Sequence, residues 1–450
     1  MKQSHCEKAI SPCLAIDIGA SGGRHIAGWY EGDILHTEEV YRFPNNVIKE
    51  NGHLLWDIPM LLENVIEGIR RSFSRFGTIR SLAIDTWGVD YMLLDRDGTE
   101  IPPAYAYRDD RTDGIIPGVH AKISFAELYR RTGIQYQPFN TIYQLACDRK
   151  SRRLDRAAYF LMLPEYLSYR LTGVMKKEYT NATTTGLVNA QSGEFDREIL
   201  HALSLPGQLF PPLDRPGTEV GTLLPEIARC VGGQTHVLLC PSHDTAAAVE
   251  GIGLAPDSLY LSSGTWSLLG ARIGHADCSE SSRLSNYSNE GGVGYIRYQK
   301  NIMGLWTVQS LRRELCPDKD FSVIATEARE SRFDGVADIN APEFFSPDSM
   351  RSAFDRAFAD SLSRPAEERD YFRCAFRSLA ESYRVAIHEL ETNLGRIYPT
   401  LTIVGGGAKN DFLNELTETT CGKKVIALPI EATALGNLKT QLKNLCQQPQ

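Results

Sequence analysis

The sequence predicts an α/β protein of two domains. A chain of 450 residues is too long for one hydrophobic core, which favours a division into two. A strand–turn–strand pattern at residues 13–30 returns about 245 residues later, at residues 258–269. A third turn of small residues follows the apolar stretch 401–404. We therefore expect two duplicated α/β domains that face each other across a cleft.

The composition is that of a soluble globular protein without a broad nucleic-acid surface. Apolar residues make up 42% of the chain and charged residues 23%. The net charge of −8 argues against a broad nucleic-acid surface, which needs an excess of Lys and Arg. The ten cysteines have no paired metal spacing, so we expect reduced thiols and a cytoplasmic location. No apolar run approaches the roughly 18 residues of a membrane span, and Asp17 interrupts the first one, so we expect neither membrane insertion nor a signal peptide.

The first strand–turn–strand unit has features of a phosphate site. An apolar run broken by Asp17 leads into a turn of small residues, 19–23, and the chain returns as a strand. Backbone N–H groups in such a turn can bind an anion, and a carboxylate beside that anion requires a cation, for which Mg²⁺ held through water is the candidate. The alternative is an ordinary glycine hairpin. The turn matches neither GxGxxG nor GxxxxGK[ST], so dinucleotide-binding and P-loop folds lose their main support.

Periodicity predicts the main elements around these turns. Helical spacing begins at a capping residue, Asp57, and stops at Gly77. Two strands are predicted within residues 81–94, and the mixed-charge run from Asp148 to Arg156 is predicted to be an exposed helix face. A long helix with one apolar face is predicted to end at Gly395, before the strand at 401–404 and an amphipathic stretch at 412–420.

Residues 241–248 lie where a predicted strand turns into a predicted helix. The apolar run 237–240 precedes them, and an Ala/Val stretch follows. One interpretation makes Ser242, Asp244 or Thr245 the N-cap of that helix. The other makes Asp244 a general base at the mouth of a cleft, with His243 beside it. The segment by itself leaves both interpretations open.

The two matched turns, together with the glycine turn 405–407, resemble the architecture of actin-like ATPases and sugar kinases. More specifically, the chain is similar to the FGGY family of carbohydrate kinases from about residue 13 to 438. The stretches that carry the resemblance are 17–24, 84–90, 107–112, 139–145, 178–185, 242–245, 261–267, 289–292, 300–306 and 404–407. The chain departs from the family pattern at Gly22, where a serine is usual, and at Asp110 and Glu165.

The resemblance implies two ribonuclease-H-like domains, residues 1–248 and 249–450, that close on ATP and a sugar. It implies a second domain shortened after Asn437, where loss of a helix packed on that domain would expose apolar surface. Asp244 corresponds to the catalytic base and Asp17 to a residue that organises Mg²⁺. The resemblance implies sugar-binding roles for Gly88, His243, Thr245 and Asn301. It implies nucleotide-binding roles for Ala20, Ser21, Gly22, Gly23, Arg24, Thr265, Gln309 and Gly406.

Within the family, the Asp-Thr-Trp-Gly and Asn-Ile-Met-Gly-Leu-Trp stretches indicate a kinase that phosphorylates L-rhamnulose at O1, in L-rhamnose catabolism. Kinases for another ketose, L-fuculose or L-xylulose, are the alternative. A different class is an actin-like assembly or chaperone ATPase, which has no need for His243, Asp244 and Asn301 around a sugar-sized space. We expect a monomer or small homo-oligomer with no nucleic-acid or membrane partner.

Overall fold

The computed structural model describes residues 11–345, 347–428 and 431–447. The outer ends of the two predicted domains, residues 1–10 and 448–450, lie outside these described residues. The strands are β1 (Cys13–Gly19), β2 (Gly22–Glu31), β3 (Ile34–Pro44), β4 (Val47–Glu50), β5 (His53–Trp56), β6 (Ser81–Thr86), β7 (Tyr91–Leu94), β8 (Tyr159–Met162), β9 (Glu219–Thr222), β10 (His236–Leu238), β11 (Ser258–Ser263), β12 (Trp266–Ile273), β13 (Ser288–Gly291), β14 (Ile296–Met303), β15 (Thr400–Val404) and β16 (Lys424–Ala427).

The helices follow the same chain order. They are α1 (Ile58–Phe76), α2 (Ile116–Lys122), α3 (Phe125–Thr132), α4 (Thr141–Lys150), α5 (Leu163–Thr172), α6 (Tyr179–Ala182), α7 (Arg197–Ala202), α8 (Pro225–Val231), α9 (Asp244–Gly251), α10 (Glu280–Leu284), α11 (Trp306–Leu315), α12 (Phe321–Glu330), α13 (Met350–Ala357), α14 (Glu368–Leu394), α15 (Asp411–Cys421) and α16 (Ala432–Gln447). Within the described ranges, no helix is both long and apolar enough to cross a membrane.

The chain forms two compact units, and it passes between them more than once. The first unit contains the residues up to Gly251, the short segment Asn289–Ile296 and the residues from Ala432 onward. The second contains Ile252–Ser288 and Arg297–Glu431. Helix α16, which the sequence-based boundary at residue 248 assigns to the second domain, thus packs in the first unit.

The first unit is built on a mixed sheet in the order β3-β2-β1-β6-β10-β9. The hairpin β1–β2 is antiparallel, whereas β6 lies parallel to β1 and β10 parallel to β6. Alternation along β1 sends Leu14 and Ile16 into the core beside α1, and Cys13 and Ala15 to the opposite face. On that opposite face α16 packs through Leu438.

The second unit repeats this arrangement. Its strands β14-β12-β11-β15-β16 follow one another in the sheet, with β12 antiparallel and β15 parallel to β11. Both central strands, β1 and β11, therefore carry a hairpin partner on one side and a parallel strand on the other. This confirms the repeated strand–turn–strand units that the sequence predicts. The long helix α14 lies over the second sheet and buries Phe372, Phe376 and Leu379 in its core.

Local signals account for the predicted boundaries. The Asp57 side chain accepts a hydrogen bond from Met60 N at 3.0 Å, and α1 ends at Gly77, whose φ is 76°. The prediction of an exposed face from Asp148 onward is wrong for Asp148, which is fully buried. Its carboxylate accepts hydrogen bonds from Tyr91, Arg111 and Arg153, and these donors compensate the burial of the charge.

Candidate functional site

The first turn is a two-residue hairpin loop of Ala20 and Ser21 between β1 and β2. Asn45 closes it from the next loop: its Nδ2 donates to Gly19 O at 3.0 Å, and its backbone N donates to Ser21 O at 3.2 Å. A Cβ at Gly23 would overlap the Phe43 ring. Contact with the Phe43 ring thus explains why position 23 needs a glycine. The tip of the turn stays partly exposed to solvent. The hairpin interpretation is correct as geometry, and it is compatible with a phosphate site.

A row of charged side chains crosses the sheet directly behind this turn. Asp17 on β1 is the register partner of Arg24 on β2 and of Asp85 on β6, so all three side chains lie on one face. Arg24 Nε lies 3.2 Å from Asp17 Oδ2. Asp85 is fully buried, and its Oδ2 accepts a 2.6 Å hydrogen bond from Asn437 Nδ2 on α16.

The Asp85 carboxylate is electrostatically costly in this position. Burial raises the pKa of Asp85 well above its usual value, and the negative charges of Asp17 and Asp244 raise it further, against the hydrogen bond from Asn437. Its Oδ1 is buried without a hydrogen-bond partner among the described residues. Two neighbouring carboxylates with an unpaired buried oxygen fit a nearby cation of the Mg²⁺ type, which prefers oxygen ligands. Among the described residues there is nevertheless no group of three or more acidic, His or Cys side chains placed to hold a metal ion directly.

Asp244 lies at the start of α9, where the chain leaves β10. It is the first residue of the helix, and His243 O accepts the first helical hydrogen bond, from Ala247 N at 3.0 Å. Asp244 Oδ1 accepts from Thr245 N at 2.5 Å and from Thr245 Oγ1 at 3.0 Å. Within the described part of the chain, Oδ2 has no hydrogen-bond partner, and the side chain is 33% exposed.

Asp244 is therefore the first helical residue rather than the N-cap, a position that His243 occupies. One oxygen of Asp244 satisfies an N–H of the first helical turn, and the other is left for a ligand. Of the other two capping candidates, Thr245 is the second helical residue, and Ser242 does not cap because its Oγ donates to Glu178 Oε2 at 2.6 Å.

Glu178 is a residue that the sequence motif contains but that no sequence argument assigned a role. It is fully buried, and besides Ser242 its carboxylate accepts from Thr180 N, Thr180 Oγ1 and Asn181 N at the start of α6. Asn181 Nδ2 in turn donates to Ser242 O at 3.1 Å. The backbone before Asp244 is thereby fixed by buried polar groups rather than by the helix alone.

The Gly88 loop is anchored to the same region. Val89 has φ of 68°, an unfavourable conformation for a β-branched residue, and it is held by hydrogen bonds on both sides. Its N–H donates to Thr184 Oγ1 at 3.1 Å, and its C=O accepts from Thr141 Oγ1 at 2.7 Å. Asp90 stabilises the loop further as an acceptor for Trp56, Trp87, Tyr107 and Gln144.

The second unit holds a separate set of predicted residues. The turn after β11 lies against the glycine turn: a Cβ at Gly405 would come within 2.7 Å of Ser263 O. Trp306 N donates to Thr265 O at 3.2 Å, which attaches the turn to the start of α11. Beside these turns lies a pocket of about 550 Å³, lined among others by Gln309, Gly406, Phe321, Ala325, Arg329 and Phe412. Its size and partly apolar lining suit a nucleoside.

The structure thus sorts the predicted residues into two groups. Asp17, the turn from Ala20 to Arg24, Gly88, His243, Asp244 and Thr245 belong to the first unit. Thr265, Gln309 and Gly406 belong to the second, as does Asn301 on β14. Of these, Gln309 and Gly406 line one pocket, which Thr265 does not.

Comparison with known proteins assigns these predicted residues to the same two halves of the chain. The N-terminal domain model of the FGGY family of carbohydrate kinases matches residues 13–251, and the C-terminal domain model matches residues 259–445. Curated relatives include the rhamnulokinase of Oceanobacillus iheyensis, 39% identical over 439 residues, covering 96% of this chain and 93% of the relative. The rhamnulokinase of Bacillus subtilis is 39% identical over 438 residues, covering 95% of this chain and 89% of the relative.

Solved structures confirm the two-domain α/β fold. Ligand-bound xylulose kinase from Lactobacillus acidophilus has a TM-score of 0.83 at 16% identity, covering 98% of this chain and 91% of that one. Plasmodium falciparum glycerol kinase with ADP has a TM-score of 0.79 at 13% identity, with coverage of 98% and 91%. The family models, the relatives and the fold agree, and this chain belongs to the FGGY family of carbohydrate kinases.

Proposed function

We propose that this protein transfers the γ-phosphoryl group of ATP to O1 of L-rhamnulose, with Asp244 as the general base. The substrate rests on the curated relatives named rhamnulokinase, together with the two stretches that indicated this sugar. The observation that carries the mechanism is the divided Asp244 carboxylate, with Oδ1 held by Thr245 and Oδ2 without a partner in the described chain.

In the proposed reaction the O1 hydroxyl donates its proton to Asp244 Oδ2 as its oxygen attacks the γ-phosphorus, and ADP departs. Phosphoryl transfer needs alignment and charge neutralisation more than covalent chemistry, so one base and fixed donors are sufficient. His243 and the Gly88 loop would orient the sugar. The Ala20–Ser21 turn and Arg24 would bind phosphate oxygens, and Thr265, Gln309 and Gly406 the nucleotide.

Mg²⁺ would neutralise phosphate charge. Asp17 would hold it through water, with Asp85 as the neighbouring carboxylate. This assignment uses the unpaired buried Oδ1 of Asp85 and the same-face register of the two residues.

A coupled assay of ADP release over a panel of ketoses tests the substrate. We expect release to depend on added sugar and to be fastest with L-rhamnulose. Faster turnover of L-fuculose or L-xylulose would favour the other ketose kinases. Release that no sugar changes would favour an actin-like ATPase and refute the proposal.

The variant Asp244→Asn tests the base. We expect kcat to fall about 10²–10⁴-fold while the protein still binds nucleotide, because the amide cannot accept the proton. Asp257→Asn is the matched control, since Asp257 is an exposed residue of the second unit, before β11. Turnover of Asp244→Asn equal to that of the control would contradict the assignment.

A further inference from the structure

The segment Asn289–Ile296 returns from the second unit to the first for only eight residues and brings Glu290 with it. Its backbone is fixed on both sides of Glu290. Asn289 N and Nδ2 both donate to Gly133 O, at 2.8 and 3.0 Å, and Gly291 N donates to Thr183 Oγ1 at 2.9 Å. The Glu290 side chain therefore has a defined starting point beside α6 and the Asp244 loop.

Glu290 lies next to the imidazole of His243. Its Oε2 is 3.2 Å from His243 Nδ1, and the other ring nitrogen, Nε2, is 3.4 Å from Asp244 Oδ1. The side chains of Glu290 and His243 are only 8% and 11% exposed, whereas that of Asp244 is 33% exposed. The imidazole thus joins a nearly buried carboxylate to the accessible one that faces the proposed substrate.

The chemistry of the two flanking groups fixes the hydrogens of the ring. A carboxylate oxygen only accepts, so each ring nitrogen must carry a hydrogen where it meets a carboxylate: Nδ1–H toward Glu290 and Nε2–H toward Asp244. Because Nδ1 is directed to Glu290, Nε2 is directed to Asp244. Asp244 Oδ1 then has contacts with Thr245 N, Thr245 Oγ1 and His243 Nε2, which together prevent rotation of the carboxylate.

We propose that Glu290 is a positioning residue for phosphoryl transfer: it accepts from Nδ1–H and so fixes the orientation of His243, whose Nε2–H keeps Oδ1 of Asp244 occupied and Oδ2 directed at the sugar hydroxyl. This inference rests on the proposed function of Asp244. Glu290 itself does not touch the reacting atoms. A supporting residue of this kind, acting through a histidine, is typically worth about 10–100-fold in activity.

The variant Glu290→Gln tests the inference by kinetics and by NMR of ¹⁵N-histidine-labelled protein. The glutamine amide can present N–H to Nδ1, which displaces the Nδ1 hydrogen and removes the charge-assisted hydrogen bond that orients the ring. We expect kcat to fall about 10–100-fold and KM for ATP to change less than about twofold. We also expect the His243 ring to lose its Nδ1–H signature, by which we mean the NMR signal of a hydrogen bonded to Nδ1. His243→Gln assigns the His243 signal by its absence.

Two further variants separate positioning from folding. Asn289→Ala removes the Nδ2 hydrogen bond to Gly133 in the same segment, so we expect a lower melting temperature with kcat and the ring signature retained. Glu290→Asp keeps the charge but withdraws it by about one methylene, and we expect an intermediate kcat with the Nδ1–H signature partly retained. If Glu290→Gln does not fold, Glu290→Asp decides: reduced kcat with an unchanged ring signature overturns the inference.

Parallel measurement of Asp244→Asn distinguishes this inference from the proposed function. Loss of turnover in Asp244→Asn, with Glu290→Gln unchanged in kcat and ring signature, overturns the role of Glu290 alone. A kcat loss in Asn289→Ala equal to that in Glu290→Gln also overturns it, because loosening of the segment then explains both. Full turnover in Asp244→Asn refutes the base and the inference built on it.

Discussion

Asn437 donates a hydrogen bond of 2.6 Å to Asp85 across 352 positions of sequence. The same amide donates to Ala83 O at 3.1 Å, and its own Oδ1 accepts from Gln441 Nε2 at 2.7 Å. The last helix of the described chain therefore places an amide network directly against the carboxylate row of the first sheet. This relationship joins the stability of the first unit to its proposed metal site.

We predict opposite effects of Asp85→Asn on stability and on metal dependence. The neutral amide removes the cost of holding a buried carboxylate beside Asp17. The free energy of unfolding measured without metal should therefore rise by about 1–4 kcal/mol. The Mg²⁺ concentration for half-maximal activity should also rise. Thermal melting in EDTA and a Mg²⁺ titration of ADP release measure the two effects. A destabilised variant with unchanged Mg²⁺ dependence would contradict both the electrostatic and the metal argument.

Close packing of α9 on α16 should tolerate no side chain at Gly436. A Cβ there would overlap Ala247 O, and one at Gly251 would overlap Ala432 O, so both helices use glycine at the contact. We expect Gly436→Ala to destabilise the protein by about 1–3 kcal/mol through forced separation of the helices. Gly118→Ala on α2 is the control: no atom lies within 4 Å of its added Cβ, and alanine favours the helix. Thermal melting should show a lower melting temperature for Gly436→Ala and an unchanged or higher one for Gly118→Ala.

The buried Asp90 should make stability depend on pH. Burial raises the pKa of Asp90 from 3.8 to about 6, against four hydrogen-bond donors. The folded state then binds more protons than the unfolded state between these values, so this contribution is full at low pH and is lost as pH rises through about 6. We take the free energy of unfolding of wild type minus that of Asp90→Asn. This signed difference should be about 2–3 kcal/mol more favourable to wild type at pH 4 than at pH 7. Urea unfolding followed by tryptophan fluorescence measures it, since Trp56 and Trp87 both donate to Asp90. An equal difference at the two pH values would show that Asp90 does not titrate there.

Filling the pocket of the second unit should weaken nucleotide binding. Thr326 on α12 lines the pocket, whereas the nearby Val323 is exposed and does not. We expect Thr326→Trp to raise KM for ATP about tenfold or more, because the indole occupies space that the nucleoside needs, and to leave KM for the sugar within about twofold. Val323→Trp, which adds the same ring outside the pocket, should change neither. Equal effects of the two variants would place the nucleoside elsewhere.

The sequence by itself determined the local elements, because their causes are local. Asp57 and Gly77 bound α1 through a side-chain cap and a left-handed residue, and the turns after β1 and β11 follow from small residues between apolar runs. The segment around Asp244 could be recognised as a strand-to-helix junction with an acidic residue. The family resemblance added the expected roles, which no periodicity supplies.

Only the tertiary structure decided which distant residues meet. Glu290 and Glu178 reach the Asp244 loop from segments far along the chain, and neither stretch contains a pattern that predicts this contact. The burial of Asp148 likewise depends on Arg111 and Arg153 folding onto it, so the charge run alone gave the wrong prediction. The placement of α16 on the first sheet follows from Leu438, Asn437 and Gly436 fitting surfaces made by β1, β6 and α9. Helix capping and strand alternation depend on residues within a few positions of each other. A buried charge, in contrast, is stabilised by partners that only the folded chain brings together.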